Sequence, residues 1–181
     1  NSASQIRKTA LLKLNGFAVK DGGRIRKNRI SVLGVRKGFF DFAPKGDNGR
    51  FSCSGNEAII NRKLSQEMNL KIGDTLLVRL YKKGSVSDEL PLTHTRDKNI
   101  ALRIKIKHIA DSGAFGKLGL NSDQQAPLNI FLPYPYLALR TGLSGRANLI
   151  LLSSPKKDRL TLARTERMVK ESLAPEDAHI T

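Results

Sequence analysis

Cysteine is almost absent from this chain: Cys53 stands alone in 181 residues. A lone thiol closes no internal disulfide and belongs to no metal-ligand spacing, so a disulfide scaffold is excluded while the redox compartment stays open. Tryptophan is missing and aromatics amount to 6%, which is thin for a protein that would stack single-stranded bases on interleaved rings. Acidic side chains are also scarce, 16 against 32 Lys plus Arg, leaving a net charge of +16. No apolar run approaches the roughly 18 residues that span a bilayer. The opening stretch "NSASQIRKTALLKL" has neither an initiator Met nor the apolar core of a signal peptide, so we expect a soluble piece excised from a longer chain.

What is present suffices for a core. At 39% hydrophobic residues, the length predicts a single domain over residues 1–181, compatible with two lobes and a smaller flap around 84–128. The pI near 10.3 is the electrostatic footprint of something that meets polyanions or anionic lipid. The excess is concentrated early: residues 1–50 hold twelve basic side chains and three acidic ones.

Read along the chain, "ALLKLNGFAV" and "RISVLGV" are β-like runs joined through Asp21, Gly22 and Gly23, which predicts a hairpin. "FFDFAPKGDNGRF" is an irregular loop by its Pro, Gly, Asp and Asn. A strand at "EAII" leads to "NRKLSQEMNL", where Asn61 caps a short helix, Leu64 and Met68 share its buried face, and Asn69 stops it. In "KIGDTLLVRL", Gly73 supplies the positive φ of a tight turn and Asp74 is expected to hydrogen-bond the backbone just beyond it. Leu76, Val78 and Leu80 then alternate into the core. Residues 84–98 read as a surface connection or flap.

"ALRIKIKHIA" alternates almost without error, with Leu102, Ile104 and Ile106 on one side and Arg103, Lys105 and Lys107 on the other. A strand with one buried face must be polar on the other, and Lys and Arg serve there because their stems cover the sheet while their heads stay hydrated. Further on, "IFLP" is a strand, "YPYLALRTGL" a short helix, and "ANLILLSS" a run typical of a strand buried on both faces. From Asp158 the spacing of Leu162, Val169 and Leu173 predicts a C-terminal helix that ends at Pro175. The fold class is thus α+β, a mixed and mostly antiparallel sheet, with a barrel-like lobe among the compatible closures. Leu76, Val78, Leu80, Leu102, Ile104, Ile106, Leu149 and Leu151 carry its core.

No catalytic constellation emerges. His94, His108 and His179 have no partner at metal spacing. Gly113, Gly116 and Gly119 match neither a dinucleotide fingerprint nor a P-loop. Ser52, Ser54, Ser85 and Ser87 sit in no nucleophile elbow. The reading is of a protein that is not an enzyme, binding no metal and no cofactor.

Two stretches carry a resemblance. "NEAIINRKLSQEMNLKIGDTLLVRL" and "LNIFLPYPYLALRTGLSGRANLILLSS" resemble the large extracytoplasmic domain of ABC transporter permeases of the FtsX/MacB type. Ile72, Gly73 and Asp74 match the family's turn. Gln125, Pro127, Asn129, Phe131 and Pro133, then Leu137, Gly142, Leu143, Gly145, Arg146, Ala147 and Asn148, match two further stretches in order, and the likeness runs over roughly residues 8–181.

The resemblance implies a periplasmic or extracellular domain of an inner-membrane protein that relays ATP-driven motion of membrane helices to a substrate or partner, with ATP on a separate cytoplasmic ATPase subunit. A second permease copy and a periplasmic or lipoprotein partner are further expectations. An anionic membrane surface is another, with Arg24, Arg26, Lys27 and Arg29 as its first candidate contacts and Arg103, Lys105 and Lys107 as the second set. The alternative is a basic cytoplasmic nucleic-acid-binding β-barrel, resting on the net charge and the row on "ALRIKIKHIA".

Overall fold

Alternation of apolar and polar side chains builds the molecule. The computed structural model describes residues 7–43, 51–81, 100–115, 118 and 127–153. Seven strands appear there: β1 (Arg7–Lys20), β2 (Ile25–Val35), β3 (Glu57–Asn61), β4 (Thr75–Leu80), β5 (Ile100–Ala110), β6 (Leu128–Pro133) and β7 (Leu149–Ser153). Helix α1 (Arg62–Glu67) follows β3, and α2 (Tyr134–Thr141) follows β6. Residues Thr9–Leu151 form one compact unit. Of the second, Asn1–Lys8 with Leu152–Thr181, the described residues are the outer ends of β1 and β7.

The strands close on themselves. β2 runs parallel to β6, β6 antiparallel to β3, β3 parallel to β5, and β5 antiparallel to β4. β4 is antiparallel to β1, and β1 pairs back on β2. Six strands therefore make a ring with no free edge, and β7 lies beyond β1 at the end of the sheet order. The mixed, mostly antiparallel sheet is present, and its closure is the barrel. Closure satisfies the backbone donors and acceptors that an open sheet would leave at two edges.

Side chains at every second position fill the inside. Leu12, Leu14, Ala18, Ile30, Val32, Ile60, Leu76, Val78, Leu80, Leu102, Ile104, Ile106, Ile130 and Leu132 form one buried cluster. Each large aliphatic side chain taken from water there contributes about 1.5–3 kcal/mol. β3 and β6 are antiparallel, so the helices that follow them reach opposite ends of the barrel. Leu64 and Met68 close one end, Leu137 and Ala138 the other. Gly16 permits the closure: a Cβ there would lie 2.1 Å from the carbonyl oxygen of Arg79, so only glycine lets β1 approach β4 this closely.

A second apolar layer covers part of the outside. Leu33, Ile59 and Phe131 point away from the barrel interior and are buried under Phe39, Phe40 and Ala114. The rings of Phe39 and Phe115 are 4.8 Å apart, and those of Phe40 and Phe131 are 5.3 Å apart.

One strand departs from expectation. β7, in "ANLILLSS", is the last strand of the order and is not buried on both faces. Leu149 and Leu151 are only partly buried against the phenylalanine layer, and Ile150 is 44% exposed. A short apolar run does not tell an edge strand from a central one, because position in the sheet order is a tertiary property. The flap residues 84–98 and the C-terminal helix from Asp158 lie outside the described residues. Within the 84–128 stretch, residues 100–110 are β5, a full member of the barrel.

Candidate functional site

The passage from α1 to β4 is held by backbone geometry. Asn61 is buried; its Oδ1 accepts from the backbone N–H of Leu64 and of Asn129, each at 3.2 Å, and its Nδ2 donates to the Pro127 carbonyl at 2.7 Å. One side chain thus caps α1 and ties β3 to the start of β6. Asn69 adopts φ 47 and Gly73 φ 95. The Gly73 N–H donates to the Ile106 carbonyl at 2.8 Å, and the Ile106 N–H to the Asp74 carbonyl at 2.9 Å, which hooks the turn onto β5.

The Asp74 carboxylate reaches backward, not forward as the sequence suggested. It accepts from the Lys71 N–H at 3.0 Å and pairs with Lys20 Nζ at 3.4 Å. Positive φ at Gly73 folds the chain so that the N–H groups behind the aspartate, and not those ahead of it, are in reach. The Lys71 N–H, helped by Lys20, holds this carboxyl below its ordinary range.

The predicted cations fall into different surroundings. Arg24 and Arg29 are exposed, Arg29 with φ 57. Arg26 lies over the Phe17 ring at 3.9 Å and donates to Asn28 Oδ1 at 3.0 Å. Lys27 pairs with Glu67 at 2.9 Å. On β5, Arg103 and Lys105 are exposed, whereas Lys107 sits 2.8 Å from Glu57. The difference is a bulge: Glu57 faces Lys105 and Ala58 faces Ile106, but Ile59 faces His108, so Lys107 is the extra residue and breaks the alternation.

Glu57 also accepts from the Ser54 N–H at 2.9 Å and hydroxyl at 3.1 Å. The Lys107 bond first, and the Ser54 N–H next, lower its carboxyl to about 2. Beside it, burial and then the charge of Glu57 push the Cys53 thiol up to about 11. A thiol so placed stays protonated at neutral pH and is a poor nucleophile. Among the described residues no group of three or more His, Cys, Asp or Glu side chains could hold a metal.

Register gathers cations from separate strands on one wall. Arg26 faces Val19, Val19 faces Leu77, and Leu77 faces Arg103. One step away Phe17 faces Arg79, and Thr75 faces Lys105. Arg26, Arg79, Arg103 and Lys105 therefore share the outside of β2, β1, β4 and β5. These four strands contain no Asp or Glu. The sequence reading missed Arg79, Phe17 and Tyr81 as members of this wall. Arg79 was findable from the alternation in "TLLVRL"; its placement beside Phe17 depends on barrel closure.

No family model matches this chain, and no curated protein matches it. Among solved structures it is similar to the periplasmic region of MacB from Actinobacillus actinomycetemcomitans, with 13% sequence identity over 94% of this chain and 67% of that one, at a TM-score of 0.48. Among the described residues no helix is long and apolar enough to cross a membrane.

Proposed function

We propose that this chain is the extracytoplasmic domain of an ABC transporter permease of the MacB/FtsX type, and that it relays motion of the membrane helices to a substrate or partner outside the inner membrane. The observation that carries the reading is where the two resembling stretches fall. "NEAIINRKLSQEMNLKIGDTLLVRL" is β3, α1, the Gly73 turn and β4; "LNIFLPYPYLALRTGLSGRANLILLSS" is β6, α2, a Gly142 cap with φ 71, and β7. Each is one strand–helix–turn–strand unit, and each helix plugs one end of the barrel.

A closed barrel plugged at both ends suits transmission. Its ladder has no free edge to slip and its interior is close-packed, so it moves as a body. In this reading ATP hydrolysis belongs to a separate cytoplasmic subunit, and the domain itself needs no cofactor. A second permease copy and a periplasmic or lipoprotein partner are its proposed associates.

Protease accessibility of this segment in the native full-length protein tests the reading. Cleavage in intact spheroplasts is expected. Protection until lysis would put the segment in the cytoplasm and replace the proposal with the nucleic-acid-binding alternative, whose affinity would fall steeply with salt.

A further inference from the structure

The wall formed by β1, β4 and β5 carries cations held in no described ion pair; the carboxylate beside it, Glu57 opposite Lys105, is taken by Lys107. Arg79, Arg103 and Lys105 are exposed, and among the described residues none of the three makes an ion pair, in contrast to Lys20, Lys27, Lys63 and Lys107. Arg103 and Lys105 are a two-residue step apart on β5, about 7 Å, and Arg79, opposite Ala101, lies diagonally across from Arg103 at about 7–8 Å. Two of the few exposed large hydrophobic side chains bracket β4: Ile72, 64% exposed, next to the exposed Lys71, and Tyr81, 47% exposed.

The wall's construction limits what it fits. β1, β4 and β5 are each paired on both sides within the ring, so they offer no backbone edge to which a peptide strand could add. Stacking of bases is also poorly served: Phe17 is 8% exposed and Arg26 lies across its ring. A convex array of long cationic side chains with an interfacial tyrosine at its rim suits a two-dimensional field of phosphates.

We propose that this wall docks on an anionic lipid membrane, with Arg79, Arg103 and Lys105 contacting headgroup phosphates and Tyr81 entering the interfacial zone. The inference stands on the chemistry of the wall and does not require the permease reading. It reassigns the surface suggested by the sequence: Arg103 and Lys105 keep the role, Arg79 joins them, and Lys27 and Lys107 are committed to Glu67 and Glu57.

Because a chain of net charge +16 is drawn to any anionic vesicle, the test must be specific to the wall. Partition of the 181-residue chain is measured on phosphatidylcholine vesicles with and without phosphatidylglycerol. The triple variant Arg79→Gln, Arg103→Gln, Lys105→Gln is compared with Lys37→Gln, Arg140→Gln, Arg146→Gln, which removes the same charge from exposed positions elsewhere. The wall variant should lose about a hundredfold in partition to anionic vesicles, the control less than about threefold. Equal losses, or no preference for phosphatidylglycerol, overturn the proposal.

A second readout leaves the charge intact. The chain has no Trp, so Tyr81→Trp and Leu139→Trp each place a single reporter, one at the wall and one on α2. A blue shift on anionic vesicles confined to Tyr81→Trp supports the proposal. A shift at both, at Leu139→Trp alone, or at neither overturns it, as does binding of a single-stranded oligonucleotide by a chain that ignores vesicles.

Discussion

The two outer walls of the barrel share one interior and have opposite surfaces. Inside, both present aliphatic side chains: Leu76, Val78, Leu102 and Ile104 on the β4–β5 side, Ile30, Val32, Ile60 and Ile130 on the β2–β6–β3 side. Outside, β4 and β5 show Arg79, Arg103 and Lys105 to solvent, while β2, β6 and β3 bury Leu33, Phe131 and Ile59 beneath phenylalanines. The same backbone pairing therefore supports a wet wall and a dry one. The difference lies entirely in the outward half of the alternation: charged there, the strand ends the protein; apolar there, it demands another layer.

Substitutions at outward positions should break this symmetry. Phe131→Ala on the dry wall removes a fully buried ring and is expected to cost about 4 kcal/mol, read from urea unfolding. A loss below about 1 kcal/mol would show that the phenylalanine layer is not part of the folded core. Asn61→Ala, which leaves Leu64, Asn129 and Pro127 without their partner, should cost about 3 kcal/mol.

At the turn that feeds the wet wall, Gly73→Ala meets open space but must hold φ 95, so about 1 kcal/mol of strain is expected. An unchanged unfolding midpoint would contradict it. Glu57, at the border between the walls, has its folded pKa lowered from the ordinary 4.5 to about 2. Its contribution is fully present above pH 4.5 and lost as pH falls toward 2. Across that window the unfolding midpoint should drop less steeply in Glu57→Gln than in the parent chain; parallel curves would remove Glu57 from the acid response. Smallest of all, Arg103→Gln on the wet wall should move stability by less than about 0.5 kcal/mol, and a larger loss would mean that the wall is covered.

The wet wall was legible in the sequence because one period explains it. "TLLVRL" and "ALRIKIK" alternate, so the buried identities of Leu76, Val78, Leu80, Leu102, Ile104 and Ile106 follow from strand geometry alone. The cap at Asn61 and the positive φ at Gly73 were equally local, since each depends on a few consecutive residues. The dry wall was harder. Its strands read as short apolar runs, and such a run is silent about what covers it, which is why "ANLILLSS" reads as a doubly buried strand that Leu149 and Leu151 in β7 do not form.

The site divides along the same line. That Arg103 and Lys105 face away from the core is a consequence of alternation, but that Lys107 turns to Glu57 depends on a bulge in the pairing with β3. Arg79 and Arg103 share a wall only because β4 pairs with β5, and Arg26 joins them only because the ring closes through β1 and β2.

By itself, then, the sequence determined which side chains point inward, where α1 begins and where the chain must turn, because these follow from the two-residue period and from single-residue backbone preferences. Tertiary structure alone decided the order of strands, the closure at Gly16, the second apolar layer and the gathering of cations from distant segments onto one face. Those depend on pairings between residues far apart in the chain, and no local period encodes which strand will be a neighbour.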